Sequence, residues 1–183
     1  MALNLKKLVC AAVAALCVGV VGAGAEIHSN AIGLRLAGGS LLGGELNYQK
    51  EMGGDNRLEI GASGSFKSDN IYGAKYNTIY LGAIGIYQWH FGITGVNGFN
   101  WYVGPGAGVG FGSYSYSYEL LGTKYSHDDS WLYLDVGGQI GIEYDLNVNN
   151  VPLLLSLDVR PMFGVLHDGG FGWGAGLGIR YTF

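Results

Sequence analysis

From residue 31 onward the chain follows a two-residue rhythm. Eight segments, approximately 31–38, 42–50, 57–67, 78–91, 99–112, 130–145, 152–163 and 171–183, are separated by clusters of turn-forming residues. In the last, Phe171, Trp173, Ala175, Leu177, Ile179, Tyr181 and Phe183 share one parity, and Gly172, Gly174, Gly176, Gly178, Arg180 and Thr182 share the other. In the seventh, Leu153, Leu155, Leu157 and Val159 oppose Ser156, Asp158 and Arg160. In the sixth, Leu132, Leu134, Val136, Ile140 and Ile142 oppose Asp135, Gln139 and Glu143. The first three set Ile32, Leu34 and Leu36 against Arg35, Leu46 and Tyr48 against Glu45 and Asn47, and Leu58 and Ile60 against Glu59. A period of two sends such sets to opposite faces of a β-strand. Arg35, Glu45, Glu59, Asp135, Glu143, Asp158, Arg160 and Arg180 all take the polar parity. Pro105 and Pro161 each remove a ladder donor, and bulges are expected at both.

Composition decides which face looks inward. Only 13% of the residues are charged, about half the usual share, while the chain holds 34 glycines and 13 tyrosines. A secreted eight-stranded carrier would be apolar inside and would show water a face rich in Lys, Glu, Asp and Thr. Here the polar face is mainly glycine with isolated charges. That face suits a narrow lumen, where glycine relieves crowding and Arg and carboxylate groups pair away from lipid. Beyond residue 25 no run of 18 apolar residues exists to form a membrane helix. Strands remain, and in lipid they must close to satisfy the backbone. The predicted fold is all-β: an eight-stranded antiparallel up-and-down transmembrane β-barrel over 26–183.

Residues 1–25 read as a secretory signal peptide. Lys6 and Lys7 give the basic start, Leu8 to Val21 the apolar run, and Ala23-Gly24-Ala25 the cleavage site. Both cysteines, Cys10 and Cys17, lie within it, so no disulfide framework is expected. Cleavage would take the net charge from −4 to −6, because Lys6 and Lys7 leave and every acidic residue stays. A nucleic-acid partner, which needs clustered Lys and Arg, is excluded. With both termini in the periplasm, the connections at 51–56, 92–98 and 146–151 fall on the inner side and are short. The long ones, 68–77 and 113–129, become extracellular loops, an asymmetry usual in such barrels. Tyr48, Trp89, Phe91, Trp101, Tyr144, Tyr181 and Phe183 should girdle one rim, and Phe66, Phe111, Phe163, Phe171 and Trp173 the other.

The final stretch, Gly178-Ile179-Arg180-Tyr181-Thr182-Phe183, resembles the assembly signal of outer-membrane barrels, with Gly178, Tyr181 and Phe183 in the marking positions and Gly176 departing from the usual polar residue. With the alternating strands, and with Gly44-Glu45-Leu46-Asn47-Tyr48-Gln49 and Asn56-Arg57-Leu58-Glu59, the chain resembles the small outer-membrane β-barrel superfamily that includes the A-type and X-type eight-stranded proteins. The resemblance implies a Gram-negative outer membrane, with its lipid, lipopolysaccharide and barrel-assembly machinery as partners. It implies no particular reaction.

Three kinds of chemistry are open to such a chain. The eight inward charges form either a static network that plugs the lumen or a switchable gate in a narrow pore for ions or small solutes. The excess of carboxylates over Arg predicts one that is protonated or water-bridged. A lipid A-modifying enzyme would need a Ser, His and carboxylate at the outer leaflet, and His127-Asp128-Asp129-Ser130 or His167-Asp168 are the candidates. The same groups lack the spacing of a metal site, and no cofactor is expected. His90, between Trp89 and Phe91, is expected at the interface. Tyr114-Ser115-Tyr116-Ser117-Tyr118 is either an adaptable contact surface for an extracellular ligand or a strand hairpin continued above the membrane. The expected function is non-enzymatic: a structural or surface-interaction protein acting through 68–77 and 113–129.

Overall fold

The computed structural model describes residues 29–39, 43–71, 74–93, 95–120, 123–166 and 169–183. The proposed signal peptide and the His167-Asp168 pair therefore lie outside the described residues. Eight strands follow in order: β1 (Asn30–Gly39), β2 (Gly43–Glu51), β3 (Asn56–Ile71), β4 (Ala74–Gly92), β5 (Phe99–Leu120), β6 (Thr123–Asp145), β7 (Leu153–Leu166) and β8 (Phe171–Thr182). Each pairs antiparallel with its neighbours, and β8 returns to β1, with Ala31 opposite Thr182 and Gly39 opposite Gly174, to close the barrel. All eight strands expected from the alternation are present, and closure leaves no free edge.

The two faces separate as the parity requires. Leu36, Leu46, Ile60, Leu81, Val109, Leu132, Leu157 and Leu177, one from each strand, are exposed on the outside. The buried side chains are mostly polar or charged, among them Arg35, Glu45, Asn47, Gln49, Glu59, Gln88, Gln139, Glu143, Asp158, Arg160 and Arg180. Oil-in, water-out order is inverted here, with an apolar coat around a polar core. Aromatic rings mark both ends of the coat. At the end holding the chain termini Phe91 stacks on Trp101 (4.4 Å) and Tyr181 on Phe183 (6.3 Å), and at the other Phe163 meets Phe171 (5.0 Å).

The two ends differ in length. At the terminal end β2 turns into β3 through Gly53 and Gly54, both at positive φ (99° and 62°), where a side chain would be strained. A 3-10 turn (Leu146–Asn149) links β6 to β7. Asp145 caps it by accepting from Asn147 N (2.8 Å), and Asn150 closes it in the left-handed region. At the opposite end the structure corrects the expected loops. The β3–β4 ladder runs to Ile71 opposite Ala74, and the β5–β6 ladder to Leu120 opposite Thr123. Most of 68–77 and 113–129 is therefore paired strand. Residues 113–120 contain no Gly or Pro, and Tyr and Thr favour the extended backbone, so nothing stops the ladder where the apolar alternation ends.

The prolines also differ from expectation. Pro105 and Pro161 face outward with their registers intact, opposite Gly138 and Trp173. On the other side of each, two successive pairs are missing without any shift, between Ile86–Gly106 and Trp89–Val103, and between Gly137–Met162 and Ile140–Val159. The lost donor interrupts a ladder without adding a residue. Among the described residues the ladder shifts register further along β7, where Leu134 faces Leu166 but Asp135 faces Gly164. Val165 is the extra residue of that bulge.

Candidate functional site

The middle of the lumen is filled by one polar network. Arg35 (β1) grips Asp158 (β7) through Nε (3.1 and 3.0 Å) and Nη2 (2.6 Å), a forked pair. Arg160 (β7) donates to Glu45 of β2 (2.6 Å) and to Glu59 of β3. Arg180 (β8) donates to Asn47 (3.1 Å), to Ser156 (3.1 Å) and to the second oxygen of Glu59. Glu59 also accepts from Gln88 (3.2 Å), which donates to Gln139 (2.7 Å) and accepts from Gln49 (2.6 Å). Three guanidinium groups thus face three carboxylates, with Glu59 shared and fully buried. Every one of these arginine bonds to β1–β3 comes from β7 or β8, or reaches to them, across the line where the barrel closes.

The glycines of the inward face explain how so much side chain fits. A Cβ on Gly61 would lie 2.7 Å from the Glu45 carboxyl carbon, and one on Gly176 2.5 Å from the Arg35 guanidinium carbon. Gly141 lies under the Tyr102 ring (2.6 Å) and Gly33 under the Arg180 stem (2.8 Å). Each of these four side chains lies across a glycine of a neighbouring strand, and close packing leaves no room for a methyl there.

Two residues of the expected network stand apart from this centre. Glu143 lies toward the terminal end, 3.4 Å from both Arg57 Nη1 and His90 Nδ1, which is ion-pair rather than hydrogen-bond spacing. Arg57 also donates to Gln49 (3.0 Å). A cavity of about 300 Å3, lined by Glu51, Asp55, Arg57, His90 and Asn100, opens below them. Asp135 lies at the other end, in a cavity of about 410 Å3 above Arg35, Glu45 and Arg160. The expected excess of carboxylates thus resolves by position: three are matched in the centre, Glu143 finds Arg57, and Asp135 lies outside the network.

His90 is corrected from the interface to the lumen. Trp89 and Phe91 take the outward parity, so the residue between them turns in, where it stacks on Tyr102 (5.1 Å, 19°) and meets Gln88 (3.2 Å). Arg57, Gln49, Gln88 and Tyr102 were not singled out by sequence reasoning. Arg57 and Gln49 do carry a signal, since they share parity with Glu59 and Glu45. Gln88 and His90 share theirs with Ile84 and Ile86, which masks it.

The described enzyme candidates, His127 to Ser130, do not assemble. His127 and Asp129 share the inward parity and Asp128 and Ser130 the outward one; all four are exposed on β6. Asp129 accepts from the Ser130 backbone N–H (2.8 Å) and not from its hydroxyl. Among the described residues no three His, Cys, Asp or Glu side chains form a metal-holding group. The Tyr/Ser stretch is a hairpin wall. Tyr114 and Tyr116 share the inward parity with Tyr76 of β4, and Tyr76 packs against them at 6.2 and 4.8 Å.

No family model and no curated protein matches the chain. Solved structures similar to it include the attachment invasion locus protein Ail of Yersinia pestis in complex with sucrose octasulfate, a heparin analogue (18% identity over 85% of this chain and 97% of that one, TM-score 0.46). Two others are CarO of Acinetobacter baumannii (9%, 86% and 98%, TM-score 0.45) and the N-terminal β-barrel domain of OprF of Pseudomonas aeruginosa (18%, 85% and 98%, TM-score 0.42). Likenesses of this depth assign no role to any residue here.

Proposed function

We propose that this chain is a non-enzymatic integral protein of the bacterial outer membrane, with a structural or surface-interaction role and a lumen plugged by its arginine–carboxylate network. The observation that carries the reading is the inverted barrel: exposed aliphatic residues on every strand and buried charge within. Such an outer surface would be unstable in water and is what lipid solvates. The termini lie in the periplasm after removal of the signal peptide 1–25, and the long hairpins β3–β4 and β5–β6 face outward. This orientation is supported by the asymmetry of the hairpins, since β3 to β6 are the longest strands and their ladders extend away from the terminal end. Lipid and lipopolysaccharide surround the coat, the barrel-assembly machinery reads Gly178, Tyr181 and Phe183, and an extracellular ligand meets the hairpins.

A second reading, a narrow or gated pore, is favoured by one observation: cavities of about 410 and 300 Å3 lie on either side of the network. Single-channel recording in a planar bilayer decides between them. The plug predicts a silent bilayer at neutral and acidic pH from protein whose heat-modifiable gel band shows it folded. Reproducible conductance steps, altered by Arg160→Ala, would overturn the plug and make the pore the function.

A further inference from the structure

Above the central network the lumen changes character. The cavity of about 410 Å3 has Arg35, Glu45 and Arg160 in its floor, and Tyr80, Trp131 and Tyr133 in its walls. Its size lies at the lower end of the range for small-molecule pockets, about 300–1,000 Å3. The rings are arranged as a partial cage. Tyr80 stands edge-on to Trp131 (5.9 Å, 77°) and to Tyr133 (6.4 Å, 66°). Glycines make space for them: a Cβ on Gly112 would lie 2.5 Å from the Trp131 ring, and Gly82 and Gly110 both lie under the Tyr133 hydroxyl.

The charges around this space are not equivalent. Arg35 is held by Asp158, and Arg160 by Glu45 and Glu59, so the floor is already neutralised. Asp135 lines the same cavity, makes no hydrogen bond or ion pair with any described residue, and shares its strand face with Trp131 and Tyr133. The β-bulge at Val165 falls directly opposite it, a position where bulges commonly re-aim side chains.

We propose that this cavity binds a small organic ammonium ion, its positive head against Asp135 and its alkyl substituents against the Tyr80, Trp131 and Tyr133 rings. A cation is attracted to the ring faces as well as to the carboxylate, whereas an anion meets a carboxylate with no partner among the described residues and guanidinium groups already engaged. A bare metal ion lacks further ligands, since Asp135 belongs to no group of three metal-holding side chains among the described residues. The site does not require the lumen to conduct, because it lies on one side of the network.

Calorimetric titration of the purified, refolded chain in detergent micelles tests this, with choline chloride as probe, sodium chloride as the ionic control and 3,3-dimethyl-1-butanol as the uncharged carbon isostere. Saturable choline binding is expected, at least tenfold tighter than the isostere. Asp135→Asn and Tyr80→Leu should each weaken it at least tenfold, while Asp129→Asn, an exposed carboxylate on the same strand, leaves it unchanged. No saturable heat, or equal binding of the isostere, overturns the proposal using the unaltered protein alone. So does unchanged affinity in Asp135→Asn whose gel band remains heat-modifiable.

Discussion

Glu59 receives two guanidinium groups and an amide on one carboxylate, with no exposure to solvent. Its neutral isostere keeps the shape and removes the charge, leaving Arg160 and Arg180 with too little compensation. Removing one partner of a buried ion pair costs about 3–5 kcal/mol, so Glu59→Gln should lower the urea midpoint of the folded barrel in lipid vesicles by that equivalent. Asp135→Asn, with no partner to strand among the described residues, should change it by less than about 1 kcal/mol. Parity alone was enough to put both residues inside the barrel. It was silent on which arginine meets which carboxylate, because pairing depends on how far each strand is staggered around the barrel. It was also weak where the inward set includes aliphatic residues, as on β4, and there His90 and Gln88 went unrecognised.

The strands of the barrel are read most easily where an apolar outer coat and a polar lumen impose opposite demands, and least easily where the outward set is no longer apolar. That is why β7 and β8 follow their alternation closely while the upper parts of β5 and β6 look like loop. A strand of roughly 9–11 residues is enough to cross a bilayer, and β5 and β6 have 22 and 23, so about half of each exceeds that length, held by backbone pairing and by ring contacts such as Tyr76 on Tyr116. Within the crossing part, tolerance depends on which face a residue takes. Gly104 faces inward beside the interrupted stretch of the β4–β5 ladder, and a Cβ there would run into the Tyr87 carbonyl. Gly85 has nothing within 4 Å of its Cβ position. Overpacking costs about 1–3 kcal/mol, and a backbone carbonyl cannot swing aside. Gly104→Ala should therefore lower the urea midpoint by the upper end of that range, and Gly85→Ala by less than about 0.5 kcal/mol.

The barrel as a body turns one kind of surface outward and keeps another for its interior, and its four tryptophans sample both. Trp89, Trp101 and Trp173 are outward and exposed; Trp131 lies on the inward parity. With bromine-labelled acyl chains, a variant retaining Trp173 alone should lose most of its fluorescence, and one retaining Trp131 alone should lose little. Equal quenching of the two would contradict the assignment of faces. The closing line between β8 and β1 has a consequence in time. Its arginine bonds join residues 101 to 133 positions apart, among the longest separations this chain allows. Forming them early would require closing a loop of most of the polypeptide. They are therefore among the last interactions made during assembly and the first relinquished on opening. A clasp of this kind does little to hasten folding and much to delay unfolding, so its main effect is on the lifetime of the finished barrel.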